Sequence, residues 1–101
     1  MYKHIVMWKF KEFADGKTRT ELVNYVKNKL DNLPAEISEI KSYETAINIG
    51  DYGASFFDIS LVSVFESKDS FWEYTKYDIH NEVVSYIQSV QEAEYIVDYI
   101  V

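Results

Sequence analysis

The chain has 101 residues, 48% of them hydrophobic and 17% aromatic, with three Gly, one Pro and no Cys. That is one domain's length, with apolar surface for one core; lacking thiols, it excludes disulfides, thiolate nucleophiles and zinc–thiolate centres. The net charge of −7 divides as eight basic and seven acidic side chains in residues 1–50 against two and ten in 51–101, an acidic half that argues against nucleic acid and anionic membrane surfaces as partners.

The N-terminal MYKHIVMWKFK has a short apolar run broken by Lys9 and Lys11. It lacks the apolar core and cleavage site of a signal peptide, and no stretch is long enough to span a bilayer. A cytoplasmic protein is expected. Residues 3–11 alternate as a strand, with His4, Val6, Trp8 and Phe10 on one face and Ile5 and Met7 on the other. Asp15-Gly16 makes a turn. Thr18-Arg19-Thr20-Glu21 fits a capping box with Thr18 as N-cap. The helix that follows should run to about Leu33, with Leu22, Val26, Leu30 and Leu33 on one stripe, and Pro34 stops it.

Residues 37–49 read as a second strand, with Tyr43, Thr45, Ile47 and Ile49 on one face. Residues 50–53 connect it to a third strand over 56–65. Ser67 is the expected N-cap of a short helix carrying Phe71, Trp72 and Tyr74. A break near Tyr77-Asp78, with Asp78 as N-cap, opens another helix over roughly 79–91, whose apolar positions are Val83, Val84, Ile87 and Val90. Residues 94–101 make the last strand. With no linker, repeat or low-complexity tract, residues 1–101 read as a single domain.

The order β-α-β-β-α-β is the split, ferredoxin-like α+β arrangement, with helices on one face of a four-stranded antiparallel sheet. Both strand faces carry apolar residues. Phe57, Ile59 and Leu61 lie opposite Phe56, Val62 and Val64, and Tyr95, Val97 and Tyr99 lie opposite Ile96 and Ile100. Helices cover one face, and a large bare apolar face is a liability in a soluble monomer. The simplest cover is the same sheet of a second copy, so a homodimer with facing sheets is expected.

Several stretches carry a family resemblance. Tyr2 to Lys11, opening with Lys3-His4-Ile5-Val6, resembles the first strand of the stress-responsive A/B barrel (Dabb) family. Phe57 to Ser67 resembles its third strand and Ile96-Val97-Asp98-Tyr99 its last. Tyr74 to His80 falls where the family has Tyr, two residues, then His-Pro-x-His. The order and spacing of these pieces carry the likeness over essentially the whole chain. It implies a dimeric α+β barrel with a pocket between sheet and helices. The family includes stress-induced proteins and a plant polyketide cyclase, and the wider fold includes small monooxygenases, whose chemistry no residue here supports. In the resemblance to the cyclase, His80 matches the general-base His, Tyr74 the catalytic Tyr and His4 a further pocket His. The cyclase's third-strand His falls near Ile59, and Tyr77-Asp78 stands in place of His-Pro.

Positions 80, 84 and 87 share a helical face, so His80 should point with Val84 and Ile87 toward the core. Burial and a helix N-terminus both disfavour its imidazolium. A neutral ring accepts a proton from a carbon acid or orients a hydroxyl, and Tyr74 has a phenol to donate to a developing enolate oxygen. His4, Trp8, Tyr25, Phe71 and Trp72 are candidate ligand-binding residues for a flat apolar molecule, although aromatic residues on core faces are more often plain core. Two His without a placed carboxylate make a poor metal site, and neither metal nor cofactor is expected. The expectation is a stress-responsive barrel protein binding a small apolar or aromatic molecule. The alternative is a cyclase-like enzyme taking a proton alpha to a carbonyl, with His80 as base and Tyr74 as oxyanion donor.

Overall fold

In the computed structural model, which describes residues 1–101, the chain forms β1 (Tyr2–Phe10), β2 (Phe13–Ala14), β3 (Lys17–Thr18), α1 (Arg19–Asp31), β4 (Ile40–Ile47), β5 (Ile59–Phe65), α2 (Lys68–Tyr74), α3 (Asp78–Val90) and β6 (Gln91–Ile100). The long strands make one antiparallel sheet in the order β4-β5-β1-β6. This is the ferredoxin-like α+β fold. The two-residue strands β2 and β3 close a small hairpin around Asp15 and Gly16, both at positive φ, where Gly carries no Cβ penalty.

Local chemistry sets the helix starts. Thr18 Oγ1 accepts from the Glu21 amide at 3.3 Å, and the Glu21 carboxylate accepts from the Thr18 amide at 3.0 Å, completing the capping box. Ser67 caps α2 by accepting from the Ser70 amide. At α3 the expected cap is replaced: Tyr77 is the N-cap residue and supplies no side-chain bond, while Asp78 lies inside the first turn. There its charge still complements the helix dipole.

Pairing and turn geometry move several boundaries. Helix α1 ends at Asp31 rather than Leu33, because a residue before Pro is pushed out of the helical region. Leu33 stays in the core through a turn bond from its amide to the Leu30 carbonyl. Strand β4 stops at Ile47, leaving Ile49 exposed. Strand β5 starts only at Ile59, so Phe57 escapes the alternation and stacks on Tyr95, with ring centroids 5.2 Å apart. Strand β6 starts at Gln91, directly after α3.

The core lies between the sheet and the helices. Val6, Trp8 and Phe10 of β1 and Ile59, Leu61 and Phe65 of β5 face Leu22, Val26 and Leu30 of α1 and Val83, Ile87 and Val90 of α3. Ser63, wholly buried in β5, donates to the His4 carbonyl at 3.3 Å. On the other face β1 aligns Ile5 with Val62 and Val97, and Met7 with Tyr95. Met7, Tyr95, Val97 and Tyr99 are exposed there. No helix is long and apolar enough to cross a membrane.

Candidate functional site

The helix layer leaves an apolar cavity of about 230 Å³ against β1 and β6. Strand alternation supplies its floor: His4, Val6 and Trp8 from β1 and Glu94 and Ile96 from β6. Helix α3 supplies one wall through His80, Val83, Val84, Ile87 and Gln88, at the spacings that keep side chains on one helical side. Phe71 and Tyr74 of α2 close one end. A cavity near 150 Å³ holds benzene in another protein, so this one suits a molecule of roughly one ring with a short substituent.

The two histidines line the same cavity but have different partners. His4 Nδ1 lies 2.5 Å from Asp98 Oδ1, because β1 and β6 align His4 with Asp98. A carboxylate only accepts, so His4 Nδ1 carries a proton directed at Asp98. The other oxygen of Asp98 accepts from the Tyr2 hydroxyl at 2.7 Å. Burial first, then the Asp98 bond and charge, push Tyr2 up to about 12. These two bonds fix the rotamer of Asp98 and so the plane of the His4 ring, which also packs on Phe71 at 4.9 Å. The expectation of histidines without a placed carboxylate is therefore corrected: Asp98 is that carboxylate.

Burial holds the His80 imidazole below its ordinary value. The Asn81 side chain, 3.3 Å from Nδ1, works against this, and the nearby His4 works with it. Its ring packs on Tyr74 with centroids 4.3 Å apart. Tyr74 is itself buried, which pushes its phenol up to about 12 and keeps it a proton donor at neutral pH. Beside it lies the buried Tyr43 hydroxyl, which makes no well-formed hydrogen bond but interacts with the Tyr74 hydroxyl; burial first, then Tyr74, raise its pKa.

Of the residues singled out in the sequence, His4, Trp8, Phe71, Tyr74 and His80 meet at this cavity. Tyr25 and Trp72 do not. Tyr25 lies on the outer side of α1, edge-on to Tyr86 and between Lys17 and Lys29. The short helix α2 points Phe71 and Tyr74 inward, and this turns Trp72 to solvent at 53% exposure. Phe10 is wholly buried and lies outside the cavity lining. The pattern did not single out Asp98, Glu94 or Gln88. The first two depend on the register of β1 against β6, which strand periodicity does not carry. Gln88 follows from helical spacing after Val84, a signal that was present. No group of three or more His, Asp or Glu is placed to hold a metal ion.

The family model for the stress responsive A/B barrel domain matches residues 2–101. The chain belongs to the Dabb family. No curated protein matches it. Among solved structures, this Dabb domain is similar to a dimeric ferredoxin-like protein of unknown function from Bacteroides fragilis, at 26% identity and TM-score 0.84, covering 99% of this chain and 95% of that one. A dimeric ferredoxin-like protein from Thermobifida fusca is similar at 23% identity and TM-score 0.82, covering 99% and 90%. The hydroxynitrile lyase of Passiflora edulis shares the fold at 18% identity and TM-score 0.81, covering 99% and 92%.

Proposed function

We propose that this Dabb domain binds a small, largely apolar molecule in the cavity between sheet and helices, with its polar end between His4 and His80. The observation that carries this reading is one apolar cavity lined by both imidazoles, one of them oriented by Asp98. A plain core fills its interior to crystal-like density, so a cavity of this size with convergent polar groups favours a ligand. An NMR titration with ethylbenzene, a neutral one-ring probe, tests it. Saturable shifts at Val6, Val83 and Ile87 are expected. Unchanged spectra at millimolar probe contradict the reading.

A second reading has its own observation: the buried His80 ring, its pKa lowered, packed at a tilt against Tyr74. In this arrangement His80 takes a proton from a carbon alpha to a carbonyl while the Tyr74 hydroxyl donates to the enolate oxygen. The resemblance to hydroxynitrile lyase and cyclase folds makes carbonyl chemistry worth testing, although fold alone transfers no function. Deuterium exchange into phenylacetone should be catalysed by the wild type and fall about 100-fold or more in His80→Ala, the scale of general-base catalysis. An equal rate in both proteins ends the enzyme reading.

The same proposal includes a homodimer through the outer sheet face. Its support is the exposed row Met7, Tyr95, Val97 and Tyr99 and the dimeric state of the Bacteroides fragilis and Thermobifida fusca proteins. A cytoplasmic place is proposed on the lack of cysteine, and a role in stress on the family's description.

A further inference from the structure

The cavity has two polar ends, and they differ in chemistry. His4, His80 and Tyr74 form one end. Four residues further along β1, about 13 Å at strand rise, Trp8 aligns with Glu94. The Trp8 indole Nε1 donates to Glu94 Oε2 at 2.9 Å. Eight residues along α3 from His80, about 12 Å at helical rise, Gln88 reaches the same far end of the lining. The chain direction agrees: α3 runs straight into β6, whose first residue pairs with Phe10. Between the ends the walls are Val6, Leu61, Val83, Val84, Ile87 and Ile96.

One bond from Trp8 leaves Glu94 with acceptor capacity, since a carboxylate has about four acceptor positions. No Lys or Arg lines the cavity, so nothing there compensates a ligand carboxylate or phosphate. The nearest carboxylates, Glu94 in the lining and Asp98 behind His4, repel one. Resting on the pocket reading above, we propose that the ligand is an elongated, non-anionic molecule whose end away from the histidines carries a hydrogen-bond donor, a hydroxyl or an ammonium, read by Glu94. Glu94 is then a specificity-determining residue that selects against acids of the same shape.

The test uses the full chain and four probes of one frame: ethylbenzene, 2-phenylethanol, 2-phenylethylamine and 3-phenylpropanoate, each titrated by NMR. The alcohol or the amine should bind about tenfold tighter than ethylbenzene, the scale of one hydrogen bond to a charged group. The propanoate should bind at least about tenfold weaker than the alcohol. A lead of the amine over the alcohol identifies the donor as a cation, and equality identifies a hydroxyl. Glu94→Gln should remove most of the discrimination against the propanoate. Gln88→Glu, at an exposed position that tolerates charge, should deepen it and serves if Glu94→Gln fails to fold. Propanoate binding as tight as the alcohol, or a ranking unchanged in both Glu94→Gln and Gln88→Glu, overturns the proposal. Ethylbenzene binding with no gain from either donor overturns this inference and leaves the pocket reading standing. If no probe binds, both fall.

Discussion

At the scale of single residues, the chemistry of the site rests on who holds each imidazole. His4 is held by a carboxylate that a tyrosine also holds. Asp98→Asn removes the charge that keeps the proton on Nδ1. The ring should then exchange between tautomers in long-range ¹H–¹⁵N spectra, and Tyr2 should titrate closer to its ordinary value, though burial, the larger cause, remains. An unchanged Nδ1–H tautomer in the variant would contradict the assigned role. His80 is held differently: burial depresses its pKa. The folded state therefore binds fewer protons there than the unfolded chain. His80's contribution is present above the unfolded value near 6.5 and is lost as pH falls through the lower folded value. Thermal melts from pH 7.5 to 5 should show the wild type losing more stability than His80→Gln. Parallel curves would mean that the ring is not desolvated.

At the scale of elements, capping separates the helices. Helix α1 has a reciprocal box, α2 a serine cap, and α3 no side-chain cap. Thr18→Ala should cost about 1 kcal/mol, a fall in Tm of roughly 4–8 °C for a domain of this size, read by calorimetry. A shift under a degree would show that tertiary packing of Leu22, Val26 and Leu30 alone places the helix start. Helix α3 lacks such a cap and is instead held by packing: Val83, Ile87 and Val90 are buried, and Tyr77 just before it donates to Glu39 at 2.7 Å. That anchor comes from another part of the chain. It fixes where α3 begins and thereby where His80 enters the cavity.

At the scale of the whole molecule, the two faces of the sheet differ. The inner face makes the core and the cavity. The outer face exposes Met7, Tyr95, Val97 and Tyr99, and burying such a face stabilises at about 25 cal/mol per Å² of apolar area. Val97→Lys places a charge on that face, on the edge strand β6 beside Ile5. Sedimentation at micromolar concentration should give a dimer for the wild type and a monomer for the variant, with unchanged helical circular dichroism. A monomeric wild type would remove the dimer proposal and leave the outer face unexplained.

The sequence by itself determined the element order, the Thr18 and Ser67 caps, and the inward faces of β1 and α3 that carry His4 and His80. These follow from periodicity and capping, which are local, together with a resemblance spread over the chain. Tertiary structure decided the rest. The register of β1 on β6 brought Asp98 to His4 and Glu94 to Trp8, and no property of an isolated strand sets that register. The late start of β5 turned Phe57 away, and the shortness of α2 sent Trp72 outward while Phe71 and Tyr74 went in. Residues that act alone on one element were legible. Those that act through a partner distant in sequence became visible only when the strands were paired.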